Sequence, residues 1–133
     1  FFDMPLTESE VRAKLIDPAL RKAGWDMDTQ VSMEYYINDG RVKIKNGKGK
    51  RGEKEFIDYL LCIRWNIPFA VIEAKDETHS VGAGMQQGMG YAKRMDLPMV
   101  FSSNGKGFLF RDNTNPEGPV ETEIGMDEMP SPD

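Results

Sequence analysis

Two short apolar runs at the centre of the chain, residues 57–65 and 67–74, dominate its pattern of hydrophobic and polar positions. Short runs rich in Ile, Val, Phe and Leu are typical of strands buried on both faces of a sheet. If the two strands pair as a hairpin, the start of the first lies beside the end of the second. We therefore expect Asp58 to lie near Glu73 and Lys75, which share one face because side chains alternate along a strand.

A predicted helix precedes these strands. Apolar positions between residues 11 and 23 recur at helical spacing, and Thr7 with Glu10 matches a capping box. Pro18 predicts a kink or break just before it, because proline removes a backbone hydrogen bond from a helix. Glu10 has two interpretations: it caps the helix, or it reaches a metal from a helix packed beside the sheet.

A hairpin is predicted between the first helix and the central strands. Residues 31–37 alternate loosely between apolar and polar, and the turn dipeptides of residues 38–40 follow. Val42 and Ile44 then predict the returning strand. We interpret the glycine- and lysine-rich residues 46–52 as a loop, and not as a phosphate-binding P-loop, because no Gly-Lys-Ser/Thr ending occurs.

The pattern after the central strands predicts a second helix over residues 81–95, capped by Ser80. Gly84, Gly88 and Ala92 fall at every fourth position, which gives one stripe without bulk. Each glycine in a helix interior costs about 1 kcal/mol of stability relative to alanine. We explain the presence of these glycines by close packing of the stripe on a sheet.

Gln87 and Tyr91 lie on a neighbouring stripe of the same helix, four residues apart, so their side chains project together. They are either ordinary surface residues or contacts to a nucleic acid strand or the site itself. Residues 98–102 and 107–110 predict two further short strands.

With 133 residues, 39% hydrophobic and 29% charged, the chain has the size and composition of one soluble domain. No apolar run approaches the length of a membrane span, and the N-terminus lacks a signal-peptide pattern. A single cysteine, Cys62, cannot form an internal disulfide. We therefore expect no membrane partner and a cytoplasmic location.

The net charge of −5 is unevenly distributed. Residues 117–133 hold six acidic and no basic side chains, whereas residues 41–54 hold seven basic side chains and one acidic. A local basic segment matters more for phosphate binding than the overall balance. The alternative is a solvated, flexible loop. The candidate phosphate-contacting side chains of this segment are Lys43, Lys45, Lys48, Lys50 and Arg51.

Two carboxylates and a lysine at the end of a buried hairpin suggest a site for a hard cation with a catalytic ammonium. Carboxylate oxygens suit Mg²⁺, which keeps several waters and also binds substrate phosphates. Lys75 could then orient a water or stabilise charge on a phosphate. The alternative is a structural ion pair at a strand end, which is common.

The order of these elements, with Asp58 followed by Glu73-Ala74-Lys75, resembles the PD-(D/E)xK nuclease superfamily, although Ile57 replaces the proline of its name. The resemblance implies an α/β fold with a restriction-endonuclease-like core, a mixed central sheet flanked by helices. It also implies that Asp58 and Glu73 hold Mg²⁺, with Mn²⁺ able to substitute, and that Lys75 assists the attacking water.

Further positions extend the resemblance. Glu10 matches the helix carboxylate of the superfamily as a metal ligand, with Glu8 as its rival for that role. The backbone carbonyl of Ala74 is a further candidate ligand. Gln87 and Tyr91 match a Q-x-x-x-Y motif that some branches carry after the lysine, which implies an accessory role in holding DNA.

More narrowly, the chain resembles the N-terminal nuclease domain of type I restriction enzyme R (motor) subunits. The stretches that carry this resemblance are residues 7–12, 24–25, 58–61, 71–75, 103–105 and 130–132.

This resemblance implies a nuclease domain over residues 1–115. The acidic, proline-rich composition of residues 116–133 indicates a linker or an edge lying on the domain, and the resemblance implies that a linker would lead towards a motor domain. ATP is expected to act only through that motor, and the expected partners are double-stranded DNA and the methyltransferase and specificity subunits. Two alternatives remain: a stand-alone repair or recombination nuclease, and a non-catalytic DNA-binding or subunit-docking module.

Overall fold

The computed structural model describes residues 4–37, 42–45, 48–51, 55–64, 67–114, 117–118 and 120–132, with the backbone alone described at 42–45, 48–51 and 55. Its strands are β1 Val31–Ile37, β2 Val42–Lys45, β3 Lys48–Arg51, β4 Glu55–Arg64, β5 Ile67–Ala74, β6 Met99–Ser103, β7 Phe108–Asp112 and β8 Val120–Ile124. The helices are α1 Glu8–Val11, a π-helical turn Arg12–Ile16, α2 Asp17–Ala23, α3 Met85–Met95 and a 3₁₀ turn Met126–Glu128.

Six strands form one sheet in the order β1-β4-β5-β6-β7-β8, and β2 and β3 form a separate pair. β5 and β6 are parallel and are connected through α3, whereas the other neighbours in the large sheet are antiparallel. The predicted hairpin is β4–β5. The predicted α/β fold with a mixed central sheet flanked by helices is confirmed.

Two apolar clusters hold the helices to the sheet. Val11, Ile16 and Leu20 of the N-terminal helical segment belong to the same buried cluster as Tyr59 and Phe101 of the sheet. The side chains of the second cluster come from α3, its C-terminal turn and the sheet, and they include Met85, Tyr91, Ala92, Leu97, Val71 and Val100. The sheet is therefore buried on both faces, as the continuous apolar runs predicted.

The N-terminal helical segment begins as predicted and is not broken before Pro18. The capping box of Thr7 and Glu10 is formed. Pro18 does not break the helix; the turn before it widens, and the Asp17 amide bonds to the Arg12 carbonyl five residues earlier. This widening follows from the missing N–H of proline and the bulk of its ring. Gly24 ends α2 in the left-handed conformation with φ 103°.

The glycine stripe of α3 is packed as predicted, but the helix starts later, at Met85. A Cβ on Gly84 would lie 2.9 Å from the Cβ of Glu73, and one on Gly88 would lie 2.7 Å from Cγ1 of Val100. The turn before the helix is held by Ser102, whose hydroxyl accepts from the Gly84 amide at 2.9 Å and donates to the carbonyl of Val81 at 2.7 Å. The prediction that residues 81–84 are helical was therefore wrong.

The predicted partner of β1 was also wrong. The strand at Val42–Lys45 exists, but it pairs with Lys48–Arg51, whereas β1 pairs with β4. Asn46-Gly47 is itself a strong hairpin dipeptide, a signal that the loop interpretation ignored. The turn predicted at residues 38–40 lies outside the described residues.

The acidic C-terminal segment lies on the domain where it is described. β8 pairs with β7 along its whole length, and Arg111 binds Glu121 at 2.8 Å. Met129 is buried, and the indole N–H of Trp25 donates to the carbonyl of Pro130 at 2.7 Å. The described part of this segment therefore lies against the domain, and the boundary at residue 116 and the continuation into a motor domain stay predictions.

Within the described ranges, no helix has both the length and the apolar character needed to cross a membrane.

Candidate active site

Asp58 and Glu73 meet on neighbouring strands. Tyr59 on β4 is paired with Ile72 on β5, so the residues before and after them are also neighbours. The Glu73 carboxyl shares a hydrogen bond with the Asp58 side chain. Asp58 Oδ2 in turn accepts from the Ala74 amide at 2.8 Å. The hairpin thus brings together the two carboxylates that the sequence predicted to be close.

Glu73 is only 2% exposed, and its Oε1 has no hydrogen-bond partner among the described residues. Burial raises the pKa of Glu73 to about 10, and the hydrogen bond and charge of Asp58 act in the same direction. The side chain therefore holds a proton at neutral pH. A buried acceptor without a partner costs about 1–3 kcal/mol. This oxygen therefore does not stabilise the fold, but it is suited to bind a cation.

Lys75 directly follows β5, and its charge opposes the rise in the pKa of Glu73. Its ammonium donates to Oε1 of Gln87 at 3.5 Å, and the Gln87 amide donates to the Tyr91 hydroxyl at 3.0 Å. The chain of contacts runs from β5 to one face of α3. Gln87 therefore contacts the site residue Lys75 directly, and Tyr91 is connected to Lys75 through Gln87.

The two candidate helix carboxylates have different surroundings. The Glu10 carboxylate accepts from the Thr7 amide at 3.2 Å and from the Lys14 ammonium at 3.1 Å. These bonds lower the pKa of Glu10, led by the Thr7 amide. Partial burial raises the pKa of Glu8, the Asp58 charge raises it further, and Lys75 lowers it. The electrostatic neighbours of Glu8 are thus the site residues, whereas those of Glu10 belong to the cap.

Buried hydrogen bonding by Tyr59 connects β4 to the N-terminal helical segment, next to the carboxylate pair. Tyr59 is fully buried next to Asp58, and its single hydroxyl proton is shared between Asp17 and the Arg12 carbonyl, whose oxygen lies 3.1 Å from the hydroxyl oxygen. Burial raises the pKa of Tyr59, and the bond to Asp17 raises it further. These bonds tie β4 to the π-helical turn at the residue next to the carboxylate pair.

The donor set fits a hard divalent cation. Among the described residues no three Asp, Glu, His or Cys side chains form a metal-binding cluster, but the Asp58–Glu73 pair supplies carboxylate oxygens, one of them buried without a partner. Mg²⁺ is commonly held by one or two carboxylates, with waters and phosphate oxygens completing its octahedron. The role of the Ala74 carbonyl stays a prediction.

Two site neighbours were missed by the sequence analysis. Arg12 lies 3.8 Å from Asp58 Oδ1 and 3.2 Å from Glu34 Oε1, measured from its Nη1. Arg12 follows Glu8 by one helical turn, so its position was available as a signal. Glu34 has no such signal, because its contact depends on an unusual backbone conformation. The predicted DNA contacts at Lys43, Lys45, Lys48, Lys50 and Arg51 stay predictions, since only the backbone of these residues is described.

A family model described as the N terminus of the type I restriction enzyme R protein matches residues 5–119. Over 128 residues the chain is 44% identical to the endonuclease subunit of the type I restriction enzyme EcoAI of Escherichia coli. Over 98 residues it is 35% identical to the EcoKI endonuclease subunit of Escherichia coli strain K12. The first alignment covers 96% of this chain and 16% of the subunit, and the second covers 68% and 8%.

A similar fold occurs in the solved structure of a fragment described as an HsdR subunit of a type I restriction enzyme from Vibrio vulnificus YJ016. The two chains are 36% identical with a TM-score of 0.82, and the match covers 98% of this chain and 24% of that one. This likeness confirms the predicted restriction-endonuclease-like core.

Proposed function

This chain belongs to the family of type I restriction enzyme R protein N termini, and on that premise we propose that it hydrolyses DNA phosphodiester bonds with a divalent cation. The observation that carries the proposal is the buried Glu73 beside Asp58, whose Oε1 has no hydrogen-bond partner among the described residues, with the charge of Lys75 acting on the same carboxyl. Both bacterial relatives are named endonuclease subunits, which supports the reaction class.

In this proposal Asp58 and Glu73 hold Mg²⁺, and Mn²⁺ substitutes for it. When bound, the cation supplies a Lewis acid and lowers the pKa of a water in its shell. Glu73 must lose its proton to serve as a ligand, so cation binding and proton release are coupled. We place Glu8, rather than Glu10, as the helix carboxylate beside the cation, because Glu10 is bonded within its own cap.

Lys75 is the residue we assign to the attacking water and to the charge that develops on the phosphate. The water oxygen forms a bond to phosphorus while the bond from phosphorus to one ester oxygen breaks, and that oxygen takes up a proton. An ammonium held in place before the reaction stabilises this charge without reorganisation. Gln87 provides the holding contact, and Tyr91 fixes Gln87 in turn.

We further propose that Gln87, Tyr91 and the basic strands β2 and β3 hold the DNA backbone. Such contacts position a duplex without reading its sequence. In a complete enzyme, ATP would act through a motor domain, and recognition and methylation would fall to specificity and methyltransferase subunits in the cytoplasm.

The test is DNA cleavage by a complete R subunit that carries this chain as its N terminus, assembled with its partner subunits. Lys75→Ala is expected to lower the cleavage rate at least 10²-fold, the usual loss when one preorganised electrostatic contact is removed. Lys22→Ala is the matched control, because Lys22 is an exposed lysine at the end of α2. Cleavage by Lys75→Ala at the parent rate would show that the catalytic assignment is wrong and would favour a docking module.

A further inference from the structure

Arg12 is a largely buried cation next to the carboxylate pair that the proposed mechanism does not use. Its side chain is 16% exposed, with Nη1 3.2 Å from Glu34 Oε1 and 3.8 Å from Asp58 Oδ1. Burial alone would lower the pKa of Arg12, but the charges of Asp58, Glu34 and Glu8 raise it, so it remains a guanidinium. Its Nε–H is buried and has no acceptor among the described residues. The hydrogen-bonding capacity of this guanidinium is therefore not fully used within the described part of the domain.

Glu34 reaches Arg12 through an unusual backbone conformation. Its φ is 51°, in the left-handed region, although it lies inside strand β1. Its neighbours Met33 and Tyr35 pair with Tyr59 and Ile57, so Glu34 stands opposite Asp58. A glutamate rarely adopts this conformation, and strained residues of this kind concentrate at functional sites. The Glu34 side chain is 65% exposed, so it can leave Arg12 without rearrangement of the core.

The backbone that carries Arg12 is fixed to the site. The Tyr59 hydroxyl donates to the Arg12 carbonyl at 3.1 Å, and Tyr59 follows Asp58 in β4. Arg12 is also the first residue of the π-helical turn, and π-helical turns are frequent at functional sites. The backbone position of Arg12 is therefore set by two elements, the helix and the strand.

We propose that Arg12 binds a phosphate of the DNA strand that enters the site, and that Glu34 holds the guanidinium in place until the phosphate replaces it. The proposal rests on the proposed nuclease function. The charge of Asp58 raises the pKa of Glu8, so two carboxyls would repel an anionic backbone at this place, and both Arg12 and Lys75 act electrostatically on Glu8. Arg12 thus supplies a second cation beside Lys75. Its planar fork of donors matches two phosphate oxygens, which an ammonium cannot do.

The experiment measures binding of a fluorescent short duplex to the protein in Ca²⁺, across a series of salt concentrations. Loss of one phosphate contact is expected to reduce the slope of log affinity against log salt by about 0.9, and to weaken binding roughly eightfold near 0.1 M salt. Arg12→Gln should show this loss. Glu34→Gln should bind about threefold tighter, because a nearby anion is removed and the guanidinium is released.

The matched control is Arg111→Gln. Arg111 also binds a carboxylate, Glu121, through a side chain that is 20% exposed, but it lies on β7, towards the other edge of the sheet from β1. Its salt slope is expected to equal that of the parent. Circular dichroism establishes that each variant is folded. If Arg12→Gln does not fold, Arg12→Lys decides the question. It keeps the charge but loses the planar fork, so it should bind DNA more weakly than the parent, whereas a merely structural Arg12 predicts unchanged affinity.

The outcomes separate the two proposals. Binding by the parent with an unchanged slope in Arg12→Gln, or with no gain in Glu34→Gln, would overturn the assignment of Arg12 and leave the nuclease proposal standing. No DNA binding by the parent would contradict both.

Discussion

Replacement of Glu73 by Gln is expected to remove a large pH dependence from the stability of the metal-free protein. The pKa of Glu73 is raised from 4.5 to about 10 by burial and by Asp58, so between these values the folded state binds a proton that the unfolded state does not. The free energy of unfolding therefore falls as pH rises through this window, by about 1.4 kcal/mol per pH unit. Between about pH 6 and pH 8 the expected loss is about 2.7 kcal/mol.

Glutamine is the appropriate replacement because it has the volume of protonated glutamic acid, donates to Asp58 in its place and does not titrate. The assay is urea unfolding in EDTA at a series of pH values, from which the free energy of unfolding is obtained by linear extrapolation. Glu73→Gln should lose the negative slope. Near pH 8 it should be more stable than the parent by about 4 to 5 kcal/mol, because the parent loses about 1.4 kcal/mol per pH unit from pH 4.5 upward. Glu123→Gln, at an exposed position on β8, should retain the slope.

Equal slopes in the parent and in Glu73→Gln would refute this reasoning. They would mean that the buried carboxyl is ionised at neutral pH, so that some group other than a proton balances its charge.

Three further variants test packing and support, each by urea unfolding near neutral pH. Gly88→Ala should destabilise the protein by about 1 to 2 kcal/mol, because crowding of the buried Val100, 2.7 Å from the new Cβ, outweighs the gain in helix propensity. Gly90→Ala should instead stabilise the protein by about 0.5 to 1 kcal/mol, since nothing lies within 4 Å of a Cβ at that position. Stabilisation by both glycine replacements would contradict the close packing of α3. Tyr59→Phe should cost about 2 to 3 kcal/mol by leaving Asp17 buried without this partner, and a neutral effect would show that the bond is not needed.

The central part of the site was predictable because a hairpin obeys simple rules. Two apolar runs with one residue between them can pair in few registers, and each of them places Asp58 near Glu73. The glycine stripe of α3 was equally informative, because missing side chains have few explanations in a helix. Both features depend on contacts that strand alternation or helical spacing fixes.

The choice between Glu8 and Glu10 shows where the sequence was ambiguous. The capping box that predicted the start of the helix includes the carboxylate of Glu10. The same residue was therefore a candidate both for the helix cap and for a metal ligand. Burial and the direction of the helix on the sheet, which spacing does not fix, place Glu8 nearer the site charges.

Other features could not be predicted from this sequence. The left-handed conformation of Glu34 has no local signal, because nothing about a glutamate between Met33 and Tyr35 favours it. The late start of α3 depends on a long-range bond from Ser102 to the Gly84 amide. Both are cases in which tertiary contacts override local preference.

The most direct test of a cation site at Asp58 and Glu73 is calorimetric titration with Mn²⁺ in two buffers that differ in their ionisation enthalpy, which counts the protons released. The parent is expected to bind with release of about one proton near neutral pH, since Glu73 must deprotonate. Asp58→Asn and Glu73→Gln should abolish binding, Glu8→Gln should weaken it, and Glu10→Gln should leave it unchanged. Mn²⁺ binding that persists in Asp58→Asn and Glu73→Gln, or is absent from the parent even with a short DNA duplex, would contradict the account.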